Sequence, residues 1–231
     1  KLGLAASAKR VDPAALWSLT RMGVPIGLQY ALESGVFSLA TALISRFGVV
    51  SAASHTIVLN VASFTYTVPT AIAGATAILV GQALGRGDIG EARRTGWIAQ
   101  GLALVVMAAS GLTLALLGSH IAGLFTNDAP VIDLCARLII MAAIFQIADG
   151  VQAVGGGALR GVGETRSSMV ANLVGYWFIG LPLAYLFGER MGKGVIGFWM
   201  GLTAGLYAVA ALILYRWALR SMRLKQEVGN A

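Results

Sequence analysis

The chain has 231 residues, of which 57% are hydrophobic and only 12% charged, with a net charge of +7. Soluble domains carry roughly 25% charged residues, so a water-soluble globule is excluded, and the absence of strand-like alternation excludes a barrel. Lipid offers the backbone no hydrogen-bond partner, and the predicted fold is therefore all-α, an integral membrane bundle of six transmembrane helices.

No Lys, Arg, Asp or Glu occurs between Arg46 and Arg86 or between Arg94 and Asp128, and a crossing needs about 20 apolar residues. In chain order the predicted crossings are 18–45, 51–84, 95–118, 131–158, 168–188 and 195–217, and residues 1–231 read as a single six-helix lobe. Asp12-Pro13 supplies an N-cap and a first-turn proline, with residues 13–21 as a short interfacial lead-in. The first helix places Gln29, Glu33 and Phe37 on one stripe, and the second Thr56, Asn60, Phe64 and Thr67. Residues 85–94 read as a loop, and Asn127-Asp128 with Pro130 as the cap before helix four. That helix carries Phe145, Gln146, Asp149 and Gln152 on one side; residues 160–166 form a loop, and helix five offers Asn172 and Tyr176. Pro25, Pro69 and Pro182 lie inside crossings, where each removes a donor and favours a kink. The chain holds 30 glycines. The pairs Gly23/Gly27, Gly81/Gly85 and Gly157/Gly161 and the run Gly197, Gly201, Gly205 have the spacing that lets membrane helices approach closely.

The basic residues sort by side. Lys1, Lys9, Arg10, Arg21, Arg86, Arg93, Arg94, Arg160, Arg166, Arg216, Arg220, Arg223 and Lys225 fall on one face; Arg46, Arg137, Arg190 and Lys193 fall on the other. The positive-inside rule then puts both termini in the cytoplasm, and the net charge is a topology signal rather than a nucleic-acid footprint. The single Cys135 has no cysteine to pair with. The chain starts at Lys1 without an initiator Met or signal-peptide pattern, as expected of a piece of something longer.

Glu33 and Asp149 sit near the middle of their crossings, and no Lys or Arg lies at that depth to pair with either. Ionised groups at mid-membrane are costly and mark cavities or ion paths. Such carboxylates exchange protons or bind a metal cation through oxygen, both of which suit a coupling site. The candidate lining of amides, hydroxyls and aromatics (Gln29, Phe37, Thr56, Asn60, Phe64, Phe145, Gln146, Gln152, Asn172, Tyr176) suits water, a cation and a flat organic ligand. Interhelical glue and ordinary packing are the competing readings for these residues. His55 and His120 read as boundary residues, with no metal spacing or nucleophile motif beside them.

The stretch from Phe145 to Arg166, Phe-Gln-Ile-Ala-Asp149-Gly-Val-Gln-Ala-Val-Gly-Gly-Gly-Ala-Leu-Arg160-Gly-Val-Gly-Glu-Thr-Arg, resembles the multidrug and toxic compound extrusion (MATE) transporters. So do Pro69-Thr-Ala-Ile-Ala-Gly74, Val80-Gly-Gln-Ala-Leu-Gly-Arg-Gly87 and Gly180-Leu-Pro-Leu, and the likeness covers about residues 15–220. The resemblance implies the C-terminal six-helix lobe of a twelve-helix, two-lobed protein. That protein exports organic cations and drugs in exchange for sodium or protons from the inner (plasma) membrane. It further implies that Asp149, with Glu33, couples the cation, so that sodium at these two residues is the one metal expected. No other cofactor, no enzymatic activity and no nucleic-acid partner is expected. The partners are the bilayer, organic cations and a second six-helix lobe, and this chain is then a fragment, a split half or a subunit. A lipid-linked glycan flippase of the same superfamily is the alternative, although such cavities are often lined by cationic residues; a membrane enzyme is a more distant one.

Overall fold

In the computed structural model, residues 12–229 are described, with side chains to residue 224. Lys1, Lys9, Arg10 and the Lys225 side chain, all counted in the charge asymmetry, lie outside the described residues. Six long helices follow one another: α1 (Pro13–Ile44), α2 (Val49–Gly85), α3 (Ile89–Gly123), α4 (Ala129–Gly161), α5 (Arg166–Arg190) and α6 (Gly194–Gly229). Five of them, α2 through α6, are long and apolar enough to cross a membrane; α6 qualifies over Gly194–Leu224. At 32 residues α1 spans about 48 Å, but Gln29, Glu33 and its serines and glycines dilute its apolar character.

Helices α1 and α3 run longer than the predicted crossings because their polar N-terminal ends are capped. Asp12 Oδ1 accepts from the Ala14 amide at 2.9 Å, with Pro13 already in the first turn, so the predicted interfacial lead-in is continuous with α1. Asp88 Oδ1 likewise accepts from the Glu91 amide at 2.8 Å. This starts α3 at Ile89 and reduces the predicted 85–94 loop to a tight turn. Gly48 (φ 98°) separates the 3-10 turn Ser45–Phe47 from α2, and Gly163 (φ 75°) turns the chain between α4 and α5. Both angles fall where a side chain is strained.

The prolines act unequally. Pro25 and Pro69 lie within uninterrupted α-helix. Around Pro182 the pitch changes on both sides: α over Arg166–Asn172, π over Leu173–Gly180, α over Leu181–Tyr185 and π over Leu186–Arg190. Pro182 has no N–H for the carbonyl four residues back. Next to it the Leu181 amide reaches the Tyr176 carbonyl, five residues back.

Helix α4 is the hub, packed against α2, α3 and α6, while α5 lies along α6 and reaches α1. Small residues set these distances. A Cβ at Gly111 on α3 would lie 2.8 Å from the Ala143 carbonyl oxygen, and one at Gly161 would lie 2.8 Å from the Ala77 oxygen of α2. Gly201 and Gly205 of α6 sit directly on the Ala184 and Gly180 backbone of α5. The Gly23/Gly27 pair does not follow this pattern, since neither would meet anything within 4 Å.

Candidate functional site

Three helices each turn one stripe into a shared cavity of about 320 Å³. From α1 come Tyr30, Glu33, Ser34 and Phe37, and from α2 Leu59, Ala62, Ser63 and Tyr66. Both sets have the i, i+3, i+4, i+7 spacing of a single helix face. Helix α4 adds Phe145 and Asp149, one turn apart. Glu33 and Asp149, on helices remote in sequence, therefore face one space. Its lining holds no Lys or Arg, and the ion pairs Arg86–Glu91, Arg137–Asp133 and Arg216–Glu164 involve none of the lining residues.

Behind the cavity, amides anchor the acid on α1. Gln152 Nε2 donates to Glu33 Oε1 at 3.3 Å, and Asn172 Nδ2 donates to Gln152 Oε1 at 3.4 Å and to the Ser168 carbonyl at 3.0 Å. The other Glu33 oxygen, Oε2, is buried without a partner. Asp149 is buried, with 7% of its surface exposed. An aromatic wall closes the other side. Phe37 meets Phe145 edge to face at 6.0 Å and Tyr176 at 5.7 Å, and Phe145 meets Trp199 at 5.9 Å. Such pairs hold ring positions by quadrupole geometry as well as by area. The space thus combines the rings of Phe37 and Phe145 with two carboxylates. Hydroxyl-bearing Tyr30, Ser34, Ser63 and Tyr66 supply neutral oxygens to the same lining, so its donors are of the oxygen type that hard cations take. Among the described residues no group of three or more His, Cys, Asp and Glu gathers.

The other predicted lining residues lie elsewhere. Gln152, Asn172 and Tyr176 are buried just behind the cavity. Gln146 is fully buried toward α3, where its Oε1 accepts from Ser110 Oγ at 3.4 Å. Gln29 is buried outside the lining. Thr56 is exposed and donates to its own helix at Ala52 O, 2.9 Å away. Asn60 and Phe64 face a separate groove between α2 and α3, of about 470 Å³, with Ser110, Thr113 and Phe125. The sequence stripe on α2 was rotated: it followed polarity, whereas threonines satisfy themselves on the preceding turn and point anywhere. Tyr30 and Ser34 were legible as helical neighbours of Glu33. Ser63 and Tyr66 were not, because the rotation of α2 is set by its packing on α4.

One boundary reading also changes. His55 is fully buried rather than at a surface boundary: its Nδ1 accepts from Trp199 Nε1 at 3.2 Å and its Nε2 lies 3.0 Å from Thr41 Oγ1. In the loop after α4, Glu164 pairs with Arg216 of α6, through Nη2 at 2.7 Å and Nε at 3.1 Å.

A family model described as MatE matches residues 25–186. The multidrug resistance protein NorM of Burkholderia vietnamiensis is 42% identical over 224 residues, covering 94% of this chain and 48% of that protein. A probable multidrug resistance protein NorM of Brucella suis is 37% identical over 213 residues, covering 90% and 45% respectively. Among solved structures, an outward-facing multidrug resistance MATE family transporter of the MOP superfamily superposes with a TM-score of 0.88 at 18% identity. That match covers 96% of this chain and 50% of the other. The eukaryotic MATE transporter AtDTX14 gives 0.83 at 22% identity, covering 93% and 50%. At these identities the structures speak for the fold alone. The chain spans about half the length of the relatives it matches.

Proposed function

The chain belongs to the MatE family, and from that premise we propose that it forms the C-terminal lobe of a cation-coupled antiporter exporting organic cations and other drugs. The observation that carries this reading is the convergence of Glu33 and Asp149, from α1 and α4, on one cavity without a basic residue in its lining. A cavity of that sign favours cationic cargo over an anionic lipid-linked glycan.

In this reading a sodium ion or a proton binds at Asp149, with Glu33 as its partner, and biases the lobe toward one conformation. Only differential affinity for the two states shifts such an equilibrium. The aromatic lining residues Phe37, Phe145 and Tyr66 receive the flat faces of the drug. Alternating access moves one bundle against another around a mid-membrane site, so the transporting unit needs a second six-helix lobe facing α1 and α2. It works in the inner (plasma) membrane with both termini on the cytoplasmic side, where the basic ends of the helices lie.

The test is efflux of a fluorescent organic cation by the two-lobe protein carrying Asp149→Asn, with Glu33→Gln alongside. Loss of efflux and of its dependence on the sodium or proton gradient is the expected result. Unchanged efflux with unchanged cation dependence overturns the reading.

A further inference from the structure

Three consecutive glycines on α4 differ in why they lack a side chain. A Cβ at Gly157 would run into the Ala73 carbonyl of α2, and one at Gly155 would lie 2.5 Å from the Ile213 side chain and 2.6 Å from the Gln100 amide nitrogen. Close helix packing accounts for both. A Cβ at Gly156 would meet nothing closer than 3.5 Å, and its two neighbours are both polar: Arg160 Nη1 at 3.5 Å and Ser168 Oγ at 3.6 Å. These are ordinary contact distances. Packing does not require a glycine here, and its absent side chain leaves a methyl-sized space between a guanidinium and a hydroxyl.

Unpartnered polar atoms continue inward from there. Ser168 is fully buried and its hydroxyl has no hydrogen-bond partner. One turn further along α5, Asn172 is also fully buried, and its Oδ1 is unpartnered. The Asn172 amide leads to Gln152 and Gln152 to Glu33, whose Oε2 is the third orphaned atom of the series. Buried polar atoms are nearly always paired, with protein or with ordered water, and a polar space of this size is what an internal water needs. The series runs from the mid-membrane acid to the end of α4. It passes the start of the π segment Leu173–Gly180, a form of helix found frequently at functional sites.

We propose that Gly156, Ser168, Asn172 and Gln152 form a hydrated polar path connecting Glu33 with the basic end of the bundle at Arg160. Its occupant is water. The residues along it offer a metal cation no opposite charge at which to rest between Glu33 and the mouth. The path gives Glu33 contact with the aqueous phase at the basic end that does not run through the drug cavity. It rests on the coupling function proposed above only for what Glu33 does.

Ser168→Cys in the otherwise unaltered chain, reconstituted in liposomes, places a thiol at a position as fully buried as native Cys135, which serves as the internal control. Both are challenged with silver ion, which is small and water-borne, and the thiols left free are counted by maleimide labelling and mass spectrometry. A dry buried thiol is inert, so the path predicts that silver blocks the thiol at position 168 at least about tenfold faster than Cys135. Adding Gly156→Ala, which fits the space and fills it, should bring that rate down to the level of Cys135. Equal rates at the two thiols, or a rate at 168 unmoved by Gly156→Ala, overturn the proposal. Should Ser168→Cys fail to yield folded protein, Gly156→Cys reads the same space against the same control. Silver access is measured without drug or gradient, so its failure is distinct from a failure of the Asp149→Asn efflux test.

Discussion

Trp199 Nε1 is a donor only, so at 3.2 Å it fixes His55 Nδ1 as an acceptor. The ring proton of the neutral imidazole then sits on Nε2 and is given to Thr41 Oγ1, whose own hydrogen goes to the Phe37 carbonyl at 2.8 Å. This donor chain ties α6, α2 and α1 together, ends on the backbone of a cavity residue, and has Phe145 packed against its tryptophan. Replacing His55 by Ala removes a fully buried ring and both of its hydrogen bonds. The expected loss is about 2–4 kcal/mol of stability, read as a lowered unfolding temperature in detergent, whereas His120→Ala on exposed surface should change it little. The same logic separates the acids from the threonines. Glu33 is held by Gln152 from another helix, while Thr56 and Thr67 satisfy themselves on their own helix. Polarity alone did not distinguish a residue that faces the cavity from one that does not.

Between elements, glycine spacing has meaning only where two backbones meet. The α5–α6 contact is built on Gly201 and Gly205, where an added Cβ would press on the backbone of Leu183, Ala184 and Gly180. Gly23 and Gly27 on α1 have the same spacing and open space around them. Gly201→Val should therefore prevent α6 from seating on α5 and leave little folded protein on size-exclusion chromatography. Gly23→Ala should elute and unfold like the unsubstituted chain, or slightly better, since Ala exceeds Gly in helix propensity by roughly 1 kcal/mol. Equal behaviour of the two variants would contradict this division. The changes of pitch in α5 lie on the same contact. With its donors shifted around Pro182, the helix runs along α6 through Gly175, Gly180 and Gly188.

Across the molecule, the α4–α5 loop is strapped to α6 at Arg216. Arg216 spans Glu164 Oε1 and Ser167 Oγ, and the Ser167 hydroxyl in turn bonds Glu164. With Glu164 22% and Arg216 49% exposed, solvent screens the pair, and its worth is at most about 1 kcal/mol. Reversing either charge alone should lower the unfolding temperature more at low salt than at high salt, and Glu164→Arg with Arg216→Glu together should recover most of the loss. Recovery instead by exchanging Glu164 with Arg166 would reassign the partner. What the sequence determined by itself was local or compositional. Long apolar runs fix helices that cross lipid, caps fix where α1 and α3 begin, and two carboxylates without a basic neighbour at their depth mark a candidate site. Tertiary structure decided whatever depends on how each helix is rotated against a partner distant in sequence. It turned Ser63 and Tyr66, not Asn60 and Phe64, toward the acids, buried His55, chose Arg216 for Glu164, and gave Gly156 a role unlike those of Gly155 and Gly157. The reason is that a helix's period gives its faces, but only the shape of its neighbours selects which face turns inward.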